Sequence, residues 1–184
     1  MLAPTIFSAT TMAGVDFVLR DFRREDFDTL WSIDQVCFAE GIAYSRRELG
    51  LYIRQPRSFA LVAEFVSSEP KSPVSAGANS PDSSIAGFLV AEAHRTAGHI
   101  ITIDVLPRAR RGGVGSKLLA AAEERLRAVS CKRVYLETAV DNLPAIAFYK
   151  RHQYFTVHTL PRYYSNGLDA LMLEKDLLSA GQAS

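Results

Sequence analysis

Cysteine is scarce in this chain: Cys37 and Cys131 are the only two among 184 residues. They have neither metal-ligand spacing nor the spacing of a dithiol pair. That excludes a cysteine-built metal centre or redox motif and leaves two free thiols in a reducing compartment as the expectation. Long apolar runs are also missing. None approaches the roughly 20 residues that cross a bilayer, so no membrane partner is expected. Net charge is small, with 21 Lys and Arg against 20 Asp and Glu leaving +1. That balance gives no reason to expect nucleic acid through bulk electrostatics. Residues 1–14 lack the basic start and long apolar centre of a secretory signal. They read as a flexible N-terminal extension in which Met12 competes with Met1 as the true start, and the chain is expected to be cytoplasmic.

A 48% hydrophobic composition is enough for one domain with a core. That domain is expected over residues 15–178, followed by a short tail at 179–184. Strands are expected at residues 16–20, 58–66, 84–95, 99–107, 132–138, 154–160 and 170–177. Residues 24–38 place Phe27, Leu30, Trp31, Ile33, Val36 and Cys37 near helical spacing. A second helix is expected over 46–55, with Leu49, Tyr52 and Ile53 inward and Ser45 as N-cap. Two more are expected at 117–129 and 142–152. Residues 67–83 are rich in Ser and Pro and read as a flexible loop insertion. The order β-α-α-β-β-β-α-β-α-β-β predicts an α/β fold: a mixed, mostly antiparallel sheet of about six to seven strands with helices on both faces.

Between the apolar run ending at Pro107 and the amphipathic run from Lys117 lies Arg110-Arg111-Gly112-Gly113-Val114-Gly115-Ser116. A glycine-rich turn that opens a helix presents unpaired N–H groups and a partial positive charge, which suits an anion. A side chain there would hold a phosphate away from the backbone. Arg110 and Arg111 add attraction for the same anion. The Lys-Ser or Lys-Thr ending of a nucleoside-triphosphate loop is missing, since Gly115 is followed by Ser116-Lys117. The turn also sits past mid-chain, whereas a dinucleotide fingerprint belongs to the first strand of its domain.

Three landmarks in order resemble the GNAT N-acetyltransferases. Val105-Leu106-Pro107 followed by Arg110-Arg111-Gly112-Gly113-Val114-Gly115 is similar to that family's acetyl-CoA loop. Leu136-Glu137 with Asn142, Ala145-Ile146 and Phe148-Tyr149 is similar to its next strand and helix. Pro161-Arg162-Tyr163-Tyr164 before Asp169-Ala170-Leu171-Met172, with Gly98-His99-Ile100, resembles the ribosomal-protein alanine acetyltransferase branch and its N-terminal acetyltransferase relatives. The resemblance covers roughly residues 16–177 and implies a sheet splayed at the acetyl-CoA site. It departs from the family at His152-Gln153-Tyr154, where a glycine usually ends the helix, so that cap needs another solution.

The resemblance implies acetyl-CoA as co-substrate and no metal. Its pyrophosphate would lie on the backbone of Arg111, Gly112, Gly113, Gly115 and Ser116, in the loop from Arg110 through Val114. The pantetheine arm would run along Ile103, Asp104 and Val105, with Asn142 near the split and the Val105 N–H as a candidate oxyanion donor. Asp104 has a second account, as a carboxylate facing solvent or paired with an arginine. Glu137 is implied as general base and Tyr149 as the acid that protonates the departing sulfur. Taken alone, Glu137 also fits a strand-end salt bridge and Tyr149 a core tyrosine. Tyr163 and Tyr164 would line a peptide groove, with Phe38 and Tyr44 as its opposite wall, although loop packing also explains Phe38. His99 is expected to bond backbone. The implied acceptor is the α-amine of a protein or peptide N-terminus, with a ribosomal protein as one candidate. A small-molecule amine or lysine acceptor, and a non-catalytic acyl-CoA sensor, are the alternatives. Monomer and homodimer both remain open.

Overall fold

Each expected strand and helix is present in the computed structural model, which describes residues 16–66 and 84–178. The expected N-terminal extension, the loop insertion at 67–83 and the C-terminal tail lie outside the described residues. The strands are β1 (Phe17–Asp21), β2 (Ser58–Phe65), β3 (Ile85–His94), β4 (Ala97–Val105), β5 (Arg133–Ala139), β6 (Phe155–Leu160) and β7 (Ala170–Asp176). The helices are α1 (Phe27–Cys37), α2 (Arg46–Arg54), α3 (Val114–Ala128) and α4 (Leu143–Arg151).

These strands form one seven-stranded sheet in the order β1-β2-β3-β4-β5-β7-β6. β4 and β5 run parallel, and the other neighbouring pairs run antiparallel. β3 reads as a nearly unbroken apolar run because both of its faces are covered. Phe88 and Val90 pack with Leu30 and Ile33 of α1 and Leu49 of α2. Leu89 and Ala91 pack with Leu118, Leu119 and Leu126 of α3. The sheet is thus a mixed α/β layer between two helical layers.

Several helix ends differ from expectation. Residues 24–26 form a single 3-10 turn ahead of α1. α3 begins at Val114 rather than Lys117, because Gly113 takes φ 81° and turns the chain directly into the helix. Ser45 caps α2 in a capping box, its hydroxyl accepting from the Glu48 N–H at 3.3 Å while the Glu48 carboxylate accepts from the Ser45 N–H at 2.9 Å. Asn142 is the N-cap of α4, not its first residue, and its Oδ1 accepts from the Ala145 N–H at 3.2 Å.

The missing glycine after α4 is replaced by Gln153 in the left-handed region, at φ 67°. Tyr154 N–H donates to the Tyr149 carbonyl at 3.1 Å and Gln153 N–H to the Lys150 carbonyl at 3.1 Å, the two bonds of a Schellman ending. A side chain in this conformation costs roughly 1–2 kcal/mol, part of which glycine returns as unfolded-chain entropy. Gln153→Gly is therefore expected to stabilise the fold by about 0.5–1 kcal/mol. Urea or thermal unfolding of both proteins checks this, and a loss of stability would contradict it.

Candidate active site

The sheet opens where β4 and β5 part. They pair only over Ala97–His99 against Arg133–Tyr135. Beyond that point β4 continues with β3 to Val105, and β5 continues with β7 to Ala139. A β-bulge at Ile101 interrupts the β3–β4 ladder at the mouth of the gap, and bulges commonly redirect a strand beside a site. The bulged carbonyl of Ile101 accepts from the Tyr44 hydroxyl at 3.2 Å.

Leu106 N–H donates to the Ala86 carbonyl at 3.0 Å, which fixes the alternation along β4. Asp104 and Thr102 therefore turn their backbone groups to β3, and Ile103 and Val105 turn theirs to the gap. The Val105 carbonyl accepts from Arg110 Nε at 3.0 Å and from Cys37 Sγ at 3.5 Å. Arg110 thus folds its guanidinium back over the strand end.

At one end of the gap lies the glycine turn. Lys117 N–H is bonded to the Gly113 carbonyl at 3.0 Å, so the first-turn amides of Val114, Gly115 and Ser116 precede that bond and have no intrahelical acceptor. A Cβ built on Gly113 would meet nothing within 4 Å, so the space over the turn is open. This cradle has the donors and the room for a phosphate group. The Ser116 hydroxyl is bonded to His152 Nε2 at 2.9 Å, leaving its amide for that role. The start of α3 also packs on α4, where Phe148 lies 3.4 Å from the position of a Gly115 Cβ.

Tyr149 sits on the inward face of α4 with 6% exposure, its ring against Phe148 and Tyr154. Burial raises its phenol well above the usual range, and the Asp104 and Tyr164 side chains add to the shift. It keeps its proton at neutral pH.

Across the gap Glu137 is bonded to His99, with Nε2 and Oε2 2.7 Å apart. The expectation of a backbone-bonded His99 is corrected by this contact. The parallel register sets His99 opposite Tyr135, so Glu137, two residues further on β5, shares its face. The His99 and Tyr135 rings stack at 4.5 Å with planes 8° apart.

Asp104 is also corrected. It faces neither solvent nor an arginine ion pair, being fully buried, with Oδ2 accepting from the Thr102 hydroxyl at 3.1 Å and Oδ1 without a partner. Asp34 of α1 is equally buried, accepting from the Tyr44 N–H and from Gln35 Nε2, each at 2.9 Å. Burial pushes Asp34 up to about 6 and holds Asp104 well above the carboxylate range, with Asp34 adding to the latter. A carboxyl whose folded value is raised binds its proton more tightly when folded, so its contribution to stability falls as pH rises from the unfolded value. Asp34→Asn removes that loss. Its stability relative to the parent is expected to improve by about 2 kcal/mol between pH 4 and 8. Urea melts at both pH values check this, and a pH-independent difference would contradict it.

The groove beside Glu137 is bounded by tyrosines from two loops. Tyr44 meets Tyr52 edge to face at 5.2 Å, and Tyr163 meets Tyr164 in the same way at 5.1 Å. Burial raises Tyr44, Tyr163 and Tyr164; for Tyr163, pushed up to about 12, and Tyr164, the Glu137 charge contributes, and both of these tyrosines in turn raise Tyr44. The two loops also touch. The Ser165 hydroxyl donates to the Gly41 carbonyl at 3.0 Å, and a Cβ on Gly41 would come within 2.9 Å of Asn166 Cβ. Phe38 and Tyr44, with Gln35, Glu40, Ser165 and Asn166, line an open cavity of about 840 Å³ at this junction.

Of the residues expected from the sequence, Ile103, Asp104, Val105 and Glu137 lie on the two strands that part, Tyr149 lies on α4 and Asn142 at its start. Arg111, at φ 64°, and Gly112 complete the turn before Gly113. Sequence reasoning missed the role of His99 with Glu137 and the parts played by Asp34, Tyr135 and Ser165. Each depends on strand register or loop contact, which no local pattern carries. Among the described residues no group of three or more His, Cys, Asp or Glu side chains is placed to hold a metal, and no helix is long and apolar enough to cross a membrane.

Comparison with known proteins agrees with this geometry. An N-alpha-acetyltransferase of Saccharolobus solfataricus is 28% identical over 177 residues, spanning 89% of this chain and 95% of the relative. The crystal structure of Ard1 from Thermoplasma volcanium superposes with a TM-score of 0.71 at 28% identity, over 87% of this chain and 97% of that one. The ribosomal-protein-S18-alanine N-acetyltransferase of Escherichia coli shares the fold, with a TM-score of 0.70 at 18% identity over 91% and 98% of the two chains. Residues 27–154 match the Acetyltransferase (GNAT) family across the helices, the glycine turn and the parted strands, and the chain belongs to that family of acetyltransferases.

Proposed function

We propose that the chain moves an acetyl group from acetyl-CoA to the α-amine of a protein or peptide N-terminus. The observation that carries the acceptor class is the contact between the two loops beside Glu137, through Ser165 and Gly41. Joined loops narrow the groove to an extended chain end and hinder a lysine entering from mid-chain. The full-length similarity to an archaeal N-alpha-acetyltransferase supports the same class.

The open turn over Gly113 fits the pyrophosphate of coenzyme A, held by the amides from Arg111 to Ser116. The backbone of Ile103 and Val105, turned to the gap, fits the amides of a pantetheine arm. The Asn142 side-chain amide keeps its N–H donors for the same arm while its oxygen caps α4. Asp104 contributes its buried side chain to this wall. When bound, the thioester supplies the activated acyl group. Val105 N–H, whose own carbonyl is already bonded, is the donor available to a developing oxyanion.

Glu137 places a carboxylate at the end of the groove where the α-ammonium loses its proton. Tyr149 stays protonated on the opposite wall and donates to the leaving sulfur. Tyr44, Tyr163 and Tyr164 hold the first residues of the acceptor. The test is incubation with acetyl-CoA and free peptides that differ at residue one, with mass spectrometry of the products. Acetyl groups on the α-amine, with rates set by residue one, are the expected result. Products carrying acetyl only on lysine side chains, or reaction confined to small amines, would overturn the acceptor class.

A further inference from the structure

His152 opens the segment that departs from the family at the end of α4, and its side chain has no part in the proposed reaction. It is the C-cap of α4, and its ring reaches the first turn of α3, where Nε2 lies 2.9 Å from Ser116 Oγ. The Ser116 amide is one of the donors assigned above to the coenzyme A pyrophosphate, so this step rests on the acetyl-CoA reading. We propose that His152 positions that phosphate through Ser116. As imidazolium the ring donates from Nε2 to Ser116 Oγ and frees the hydroxyl proton for the phosphate, so that acetyl-CoA binding takes up a proton.

A hydroxyl has a single proton to give. When Nε2 carries only its lone pair, Ser116 donates to the ring and keeps nothing for an anion. When Nε2 carries a proton, Oγ accepts from it, and the hydroxyl proton is free to donate elsewhere. The neutral ring divides between these two tautomers, whereas the imidazolium enforces the second arrangement. The ring is held in place for this. The His152 N–H donates to the Tyr149 carbonyl at 2.9 Å, and the imidazole lies 4.7 Å from the Phe148 ring. Phe148 in turn packs against Gly115, so the imidazole and the cradle share one wall.

The ring also stands between two helix ends of opposite polarity. The carbonyl end of α4 favours the imidazolium, and the amide end of α3 opposes it. An anion on the α3 end reverses that opposition. Charged groups face the ring from three elements. Burial lowers the ring below its usual value; Glu123 of α3 opposes this, and Lys175 of β7 and Arg151 of α4 add to it. Glu123 is itself bonded to Lys175 at 2.7 Å, to Arg127 at 3.2 Å and to the Tyr154 hydroxyl at 3.0 Å, so its charge is shared among three donors. The free protein therefore holds a neutral ring at pH 7. A ring whose value is higher in the complex than in the free protein strengthens binding fully below the free value. That gain is lost as pH rises through the value in the complex. The proton comes from solvent, and no bond of the coenzyme changes.

The test is calorimetric titration of coenzyme A into the parent, His152→Gln and Ser116→Ala between pH 5.5 and 8. The phosphates of free coenzyme A ionise identically in all three experiments and cancel from the ratios. The affinity of the parent relative to His152→Gln is expected to rise about 5-fold from pH 8 to pH 5.5, and Ser116→Ala is expected to lack the same gain. A ratio that does not change with pH would leave His152 a packing residue and overturn the assignment. A gain kept in full by Ser116→Ala would overturn the relay through its hydroxyl. Nitrogen NMR of the parent needs no variant to fold. His152 is expected to titrate at higher pH with coenzyme A bound than without it, and an unmoved titration would overturn the assignment. Coenzyme A that fails to bind the parent at any pH would contradict the cofactor reading, and this one with it.

Discussion

Replacing Tyr149 by phenylalanine is expected to lower kcat for thiol release by about 10²-fold and to leave the KM for acetyl-CoA nearly unchanged. The ring fills the same buried space among Phe148 and Tyr154, so packing is kept and only the hydroxyl is lost. Burial holds that hydroxyl in its protonated form across the working pH range, which is the state a proton donor requires. A thiolate is a fair leaving group, ordinarily ionising near about 8.5, so the loss falls at the lower end of the range for general acids. An alkyl thioester with a more acidic thiol is expected to recover part of the rate. A loss under 3-fold, or an equal loss with both thioesters, would remove Tyr149 from the acid role.

The second large effect is expected at the turn. Gly113→Asp should weaken acetyl-CoA binding by about 10²-fold relative to Gly113→Asn, measured by calorimetry or KM. The two variants share shape and tolerance of the left-handed conformation, so backbone strain cancels between them. They differ in one negative charge placed in the open space over the turn. Two unit charges about 4 Å apart interact by roughly 4 kcal/mol at an effective dielectric of 20, and salt reduces this. High salt is therefore expected to narrow the gap. Equal binding by both variants would mean that no anion lies over Gly113.

The sequence showed the elements and the turn because their determinants are local. Ser45 with Glu48 marked the start of α2, and the apolar run of β3 marked a strand covered on both faces. The local pattern of Arg110 to Ser116 predicts an anion cradle between a strand and a helix. What stayed hidden depends on which strands lie side by side. His99 and Glu137 are 38 residues apart, and only the short parallel pairing of β4 with β5 sets them on one face. Asp104 misled in the same way, since a carboxylate in a central strand gives no sign of whether a helix covers it. Here α1 does, with Asp34 as a second buried carboxyl. The Ser165–Gly41 contact joins residues 124 positions apart through two loops, beyond the reach of any periodicity.

Under the proposed function, this site acetylates the free amino end of a polypeptide. The most direct measurement is kcat/KM for thiol release from acetyl-CoA with two peptides of equal length. One has a free α-amine and no lysine; the other is N-blocked and carries lysines. The free peptide is expected to react at least about 100-fold faster, the level at which one narrowed groove and a more easily deprotonated amine act together. Equal rates, or faster reaction of the blocked lysine peptide, would contradict it.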